Sequence, residues 1–292
     1  MFKQYLILMM NMTDYNKKIY KILDSEYVDA ILYTINKLCP HKRQPKYSNI
    51  YYLYHIILVL TQLQKWESLN LLFTCTSKYH FKTIQDKHLE WSKLNIYEEA
   101  YRYLLDKYKH FNLKKSSNLI LFIDTTHIYN KGGVENIGYG YNPKKKETKI
   151  SAICDENKNI YSSIISSVNH KSPSKTTLKD DAHLVEENLE NLLEMDFKYK
   201  KIKLVGDKGY ARTKQDKKYI QDNFNVQLNY PHRKNQKEKT PNAVKKLLKN
   251  RYVIENVFAR IKRFDRICIR KDRLTTTFKG FMYMAIILQF RK

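Results

Sequence analysis

The chain is poor in acid. Its 292 residues hold 29 Asp and Glu against 54 Lys and Arg, a formal charge of +25. A low-GC genome enriches Lys, Asn, Ile and Tyr. That bias accounts for many lysines and for the 24 tyrosines, but not for so few carboxylates. Charge of one sign opposes compaction through self-repulsion, and its usual partner is a polyanion, most often nucleic acid. Cysteine is scarce as well. Cys39, Cys75, Cys154 and Cys268 lie far apart, with no C-x-x-C and no Cys/His ligand spacing. That excludes a zinc site of the usual kind and fits reduced thiols in an intracellular protein. Long apolar runs are missing: the richest, Ile50 to Leu60, is too short to span a bilayer. The opening MFKQYLILMMNM has too short an apolar core for a secretion signal and no small-residue cleavage site. A soluble protein is expected, not secreted and with no membrane partner. With only 7 Gly and 6 Pro, 42% hydrophobic and 28% charged residues, the composition is globular, and the length allows one large domain or two modest ones.

What is present begins with helices. Weak helical spacing runs from Tyr20 to Leu38, and HKRQPKY at His41 to Tyr47 reads as a basic linker broken by Pro45. Ser48 can cap a helix through Ile50, Leu53, Ile56, Ile57 and Leu60. Trp66 to Phe73 makes a short element, Thr76 can cap a helix with Phe81, Ile84 and Leu89, and a last helix covers Tyr97 to Tyr108. With Lys78, His80, Lys82 and Lys87 along one of them, the set is either a helix-turn-helix reader or a plain helical bundle.

The next region reads as a sheet. Leu119 to Ile123 is a continuous apolar run that stops at Asp124, as suits a central strand buried on both faces. Open α/β sheets put their sites at such strand ends, although Asp124 by itself is equally a turn residue. Lys149 to Ile153, a turn at Asp155 to Asn159, and Ile160 to Val168 form a hairpin, which with the first strand gives a three-stranded meander. Lys144, Lys145 and Lys146 precede the second strand, where lysines can reach phosphates. After a polar stretch and an amphipathic helix, His183 to Met195, the apolar run Ile202 to Val205 leads to a second carboxylate, Asp207. A parallel crossover would bring Asp207 to the edge that carries Asp124 if the two strands are neighbours. A helix follows at Thr213 to Asn223, then a strand at Val226 to Tyr230 and a very basic segment. From Asn250 to Ile269, Ile254, Val257, Phe258, Ile261 and Cys268 share one helical side. Arg251, Glu255, Lys262 and Arg266 lie on another, facing the site or solvent. The final helix, Phe278 to Phe290, is apolar nearly all round and belongs in a core.

Three carboxylates gathered at one point repel and need a cation. Hard oxygen ligands select Mg²⁺ or Mn²⁺. Two such ions about 3.5–4 Å apart can hold the attacking and leaving oxygens of an in-line displacement at phosphorus. Surrounding positive charge suits a phosphodiester substrate, with Arg251 and Lys262, one turn before and two turns after Glu255, able to fix a strand by its phosphates.

These residues carry a resemblance. Ile-Asp-Thr-Thr at 123–126, Val-Gly-Asp-Lys-Gly-Tyr at 205–210 and Arg251-x-x-x-Glu255-x6-Lys262 resemble the DDE transposases of the IS4/IS5 insertion-sequence group. So do Thr148-Lys149-Ile150 with Asp155 in the hairpin, and Trp66-Glu-Ser-Leu-Asn with Lys87-His-Leu-Glu-Trp91-Ser-Lys in the front end. The similarity covers roughly residues 50–292. It implies an α/β protein: a ribonuclease H-like mixed sheet flanked by helices over 116–292, preceded by a small all-α region over 1–115 for DNA binding or dimerisation. It implies Asp124, Asp207 and Glu255 as catalytic metal ligands for two ions of Mg²⁺ or Mn²⁺, with Arg251, Lys262, Arg266, Lys144, Lys145, Lys146 and Lys208 contacting DNA. The implied reaction is hydrolysis at transposon ends, followed by attack of the freed 3′-hydroxyl on target DNA. Double-stranded DNA and a second copy of the chain are the implied partners, in whichever compartment holds the DNA. Spacings of 83 residues from Asp124 to Asp207 and 48 from Asp207 to Glu255 leave no room for a large inserted β domain. Two departures stand out: Leu248 occupies the place of a frequent Tyr, and Asn169-His170-Lys171-Ser172 lacks a clear His-Asp pair. A nuclease without strand transfer and a captured, non-cutting DNA-binding protein are the alternatives.

Overall fold

The computed structural model describes residues 25–40, 47–62, 65–71, 81–112, 119–140, 145–168, 184–194, 201–232 and 239–290. The proposed Thr76 cap, Lys78, His80, Lys144 and the segment 169–172 lie outside the described residues. The chain divides into two compact units.

The first unit is helical and takes Met1–Tyr108, Phe264–Arg266 and Thr276–Lys292. Its elements are α1 (Glu26–Leu38), α2 (Asn49–Thr61), a 3-10 turn (Trp66–Leu71), α3 (Phe81–Lys93), α4 (Ile96–Asn112) and most of the C-terminal helix α10 (Thr275–Ile287). The Ser48 hydroxyl accepts from the Tyr51 amide at 3.4 Å, so the expected cap forms. Helix α10 is buried on nearly every side, from Phe278 to Ile287. A helix apolar all round must be surrounded, and the N-terminal helices supply the packing. Phe281 meets Trp66 and His88, and Tyr283 meets Tyr101. A single cut near residue 115 is therefore corrected: the last helix completes the helical core instead of the sheet. Lys82 and Lys87, considered for DNA reading, pair with Asp86 and Glu90 of their own helix.

The second unit, Lys109–Arg263 with Ile267–Thr275, is built on a mixed sheet. Its strands are β1 (Leu119–Asn130), β2 (Gly138–Tyr139), β3 (Lys146–Asp155), β4 (Ile160–Ser167), β5 (Ile202–Val205), β6 (Val226–Asn229) and β7 (Ile269–Arg270). The order is β2-β3-β1-β5-β6, with β4 also on β3 and β7 on β1. β1, β3 and β4 are antiparallel, the expected meander; β5 lies parallel to β1, and β6 parallel to β5. Helices α5 (Leu184–Leu193), α6 (Lys214–Phe224), α7 (Asn242–Leu248) and α8 (Tyr252–Ile261) accompany it, while the short α9 (Asp265–Cys268) begins in the helical unit and ends in this one. Thr213 and Asp216 close a reciprocal capping box on α6.

Two expectations of shape are corrected. β1 does not end at Asp124; it continues to Asn130 because Thr125, Thr126, Ile128 and Tyr129 stay paired with β3 as far as Tyr129↔Glu147. Side chains of this β-branched and aromatic kind suit a strand. Residues 250–269 are not one helix, since α8 stops at Ile261 and α9 starts at Asp265. No Pro or Gly lies between them; tertiary contacts of Lys262 and Arg266, described below, override the periodicity. The phase is lost at the break, so Cys268 is exposed instead of packed on the sheet.

Candidate active site

The site is positioned by where the β1 ladders stop. On the β5 side the pairing ends at Phe122↔Val205. Asp124 and Asp207 each lie two residues beyond that pair, at the same edge of the sheet. Further along the same side, β7 takes over only at Tyr129↔Ile269. Between these two ladders, residues 123–128 have no strand partner on that side among the described residues. Helix α8 packs against β1 and β3 and sends its long side chains to this open edge.

Each acid is held differently. The Asp124 carboxylate accepts from its neighbour's amide, Thr125, at 2.9 Å and from Arg251 Nη1 at 2.7 Å. Asp207 begins the 3-10 turn Lys208–Tyr210, and its Oδ1 accepts from the Gly209 amide at 2.7 Å. A Cβ on Gly209 would come within 2.9 Å of that oxygen, so a larger residue there would force the Asp207 carboxylate to shift. Glu255, in the first turn of α8, is the exposed acid and accepts from Arg251 Nη2 at 2.8 Å. One guanidinium thus joins β1 to α8 through two carboxylates 131 residues apart.

Burial raises the Asp124 pKa above its ordinary value. The Thr125 amide and Arg251 act the other way, and the charges of Asp207 and Glu255 add to the rise. The 2.7 Å pair with Arg251 argues for a lowered value. The rise prevails, because lost hydration and two like charges offset the pair. Among the described residues no three His, Cys, Asp or Glu side chains come close enough to hold one metal ion. The donor set still suits a hard cation: every candidate ligand is a carboxylate oxygen, and the positive charge between two of them belongs to Arg251.

Of the residues expected to meet DNA, Lys208 is exposed beside Asp207, and Lys145 and Lys146 are exposed at the start of β3. Lys262 is half-buried, and its ammonium donates to Thr126 Oγ1 at 2.5 Å and to the His127 carbonyl at 3.0 Å. Burial lowers its pKa. Arg266 does not face phosphate at all: it is 3% exposed, with its guanidinium 5.2 Å from the Trp66 ring and 4.6 Å from Phe281. Its assignment as a DNA contact is corrected, because the break before α9 turns it into the helical core. Asp155 is structural; its carboxylate is filled by the Asn159 amide, the Asn159 side chain and the Tyr161 hydroxyl. Sequence reasoning missed Thr126 and His127, the latter paired with Glu147 at 2.8 Å. Their only signal is that polar residues continue past Asp124 into a strand.

Comparison with known proteins bears on the same region. A family model described as Transposase DDE domain matches residues 115–289, more than half of the chain. No curated protein matches the sequence. Among solved structures, the chain is similar to the piggyBac transposase in a synaptic complex with hairpin DNA. Identity is 15%, over 82% of this chain and 54% of that one, with a TM-score of 0.38. A chain of a pre-cleavage Mos1 transpososome gives 13% identity, over 85% of this chain and 79% of that one, with a TM-score of 0.25. This chain therefore spans about half the length of the piggyBac chain.

Proposed function

Since the chain belongs to the Transposase DDE domain family, we propose that it is a DNA transposase of the IS4/IS5 group with a ribonuclease H-like catalytic unit. The observation that carries the reading is the Arg251 guanidinium donating to Asp124 and Glu255 together. It brings the helix acid to the strand acid, at the edge where Asp207 lies two residues beyond the end of β5.

In this reading Asp124, Asp207 and Glu255 hold Mg²⁺ or Mn²⁺. When bound, two divalent ions supply Lewis acidity at the scissile phosphate and neutralise the developing charge. The chain's own groups position the reaction. Asp124 is rigid, being mid-strand and fixed by the Thr125 amide. Asp207 is fixed by the Gly209 amide. Glu255, on the helix, completes the set. Arg251 neutralises two carboxylates that would otherwise repel, and its guanidinium geometry suits a phosphate when DNA arrives. Lys208, Lys145 and Lys146 are exposed cations for the backbone. In the first step water attacks phosphorus, the bond to the 3′ oxygen breaks, and a 3′-hydroxyl is left at the element's end. In the second step that hydroxyl attacks a target phosphodiester, forming the new P–O bond and releasing a target 3′-hydroxyl. Two ends must be joined, so the working form is a homodimer on double-stranded DNA.

The test is incubation with DNA carrying the element's own ends, with Mg²⁺ and then with chelator. Chelator-sensitive cutting at the end, followed by joined product, is the expected result. Cutting without joining would favour a nuclease, and binding without cutting a captured DNA-binding protein. Inverted repeats and a short target duplication flanking the coding region are an independent check.

A further inference from the structure

Past Asn130 the chain leaves β1 through Lys131-Gly132-Gly133-Val134-Glu135, a loop held more firmly than its glycines suggest. One side chain organises it. Arg270, at the end of β7, is fully buried, and every nitrogen of its guanidinium donates inside the protein. Nη1 donates to the Glu135 carbonyl at 2.8 Å and to Thr148 Oγ1 at 3.0 Å. Nη2 donates to the Arg273 carbonyl and to Thr275 Oγ1, and Nε to the Asp272 carbonyl. The carbonyl of Arg270 accepts from the Lys131 and Gly132 amides, and the Val134 amide donates to the Arg273 carbonyl. Asn130 closes the turn by exchanging two hydrogen bonds with Gly133. A guanidinium is costly to bury unless its donors are met. Here the bonds that meet them fix two loops, 131–136 and 271–275, against each other.

What this end of the sheet displays is charge of one sign. Lys131 and Arg273 are exposed, as are Lys145 and Lys146 at the start of β3. Lys131 and Lys145 flank the exposed Tyr129 ring, each Nζ 5.9 Å from its centroid. No acid among the described residues pairs with any of these cations. The acids nearby are otherwise engaged: Glu135 Oε2 accepts from the Thr275 amide, Glu147 pairs with His127, and Asp272 is buried. Such an array fits a polyanion, and cations on fixed loops bind one at a smaller ordering cost than cations on free loops. β1 sets the distance to the acid edge. Six residues lead from Asp124 to Asn130, about 20 Å of strand, which corresponds to about six base pairs of a duplex lying along it.

We propose that loops 131–136 and 271–275 form a second DNA contact, a ledge that takes backbone phosphates about six base pairs from the one cut at the acid edge. Lys131 and Arg273 carry it. Arg270 is a positioning residue that acts through them and does not touch DNA. The distance to the cut rests on the reading given above; the contact with DNA does not.

The experiment measures binding of the full chain to duplexes carrying the element's end, over a range of salt, for wild type, Lys131→Ala with Arg273→Ala, and Gly132→Ala. Lys131 and Arg273 are exposed, so their loss spares the fold. The salt slope is expected to fall by about 0.9 for each phosphate released. Gly132→Ala removes no charge, but its Cβ would collide with the Lys271 carbonyl oxygen, so the loop must shift. The slope should fall there too, which a role in stability alone would not produce. If Gly132→Ala does not fold, Gly133→Ala, whose Cβ would meet the Arg270 guanidinium, takes its place. Trimming the duplex to fewer than about six base pairs on one side of the cut should make variants and wild type alike. An unchanged slope in the Lys131 and Arg273 variant overturns the proposal, as does a difference that survives trimming on both sides. A wild-type slope in the folded glycine variant refutes the positioning role. A lowered slope from a wild type that never cuts would end the acid-edge reading and leave the contact; normal cutting with an unmoved slope would end the contact alone.

Discussion

The helical unit and the sheet unit both take ionisable groups out of water, in opposite ways. In the helical unit His88 and Arg266 lie among aromatic rings. His88 is fully buried: its Nε2–H donates to the Thr277 carbonyl, and its Nδ1 accepts from the Tyr97 hydroxyl. Burial pushes its pKa down to about 3, and that of His55 down to about 4. Arg266 lies over the faces of Trp66 and Phe281, an arrangement that gains from the ring quadrupole. Along the open edge of β1 in the sheet unit, charged groups answer one another: Asp124 with Arg251, Arg251 with Glu255, His127 with Glu147. Neutral, enclosed partners fix a core. Opposed charges still in reach of water can be exchanged for a metal ion or a phosphate at modest cost, which is what a site requires. The two arginines, fifteen residues apart, owe their different fates to the helix break between them.

The sharpest way to break this contrast is to neutralise the sheet-unit acids. Asp124→Asn, Asp207→Asn and Glu255→Gln should each lower Mg²⁺-dependent cleavage by about a thousandfold or more. Metal-assisted charge stabilisation is worth several kcal/mol, at about 1.4 kcal/mol per decade. Retention of DNA binding in gel-shift assays would separate this loss from misfolding. Any one variant that still cuts at the wild-type rate removes its residue from the reaction. In the helical unit the largest expected effect is on stability. Phe281→Ala deletes a ring that touches Trp66, His88 and Arg266 and should cost about 3–5 kcal/mol in denaturant unfolding, with Mn²⁺ affinity under native conditions unchanged. A fall in Mn²⁺ affinity would show that the two regions are not separable as drawn.

The contrast also predicts opposite responses to pH. The folded-state pKa of His88 lies below the ordinary 6.5, at about 3. The unfolded chain therefore takes up the proton first, and stability is lost as pH falls from 6.5 toward 3. Asp124 is raised from 3.8. Here the folded state holds its proton longer, so its contribution is present at low pH and is lost as pH rises from 3.8 through the raised value. Urea unfolding at a series of pH values should show both trends. His88→Gln should flatten the first and Asp124→Asn the second; exchange of the two effects would refute the assignment of either group.

Much of this was legible in the residues. The apolar runs before Asp124 and Asp207 are strands, they are parallel neighbours, and a helix follows Thr213 as expected. What stayed illegible has a common cause. Periodicity gives the facing of a side chain only while an element is unbroken, so Arg266 and Cys268 were misdirected by the turn at 262–264. The end of β1 is not legible locally because Thr125 to Tyr129 is held by pairing with β3, a partner 18 or more residues away. The Lys262 tie left no trace, since a hydrogen bond across 136 residues has no period.

The smallest expected effect concerns the two exposed lysines at the start of β3. Lys145 Nζ lies 5.9 Å from the centroid of the Tyr129 ring, as does Lys131 Nζ. Such an exposed contact is worth about 0.5–1 kcal/mol, too little to hold either lysine back from a phosphate. Lys145→Ala with Lys146→Ala should leave unfolding nearly unchanged and lower the salt slope of DNA binding by about 0.9 for each phosphate lost.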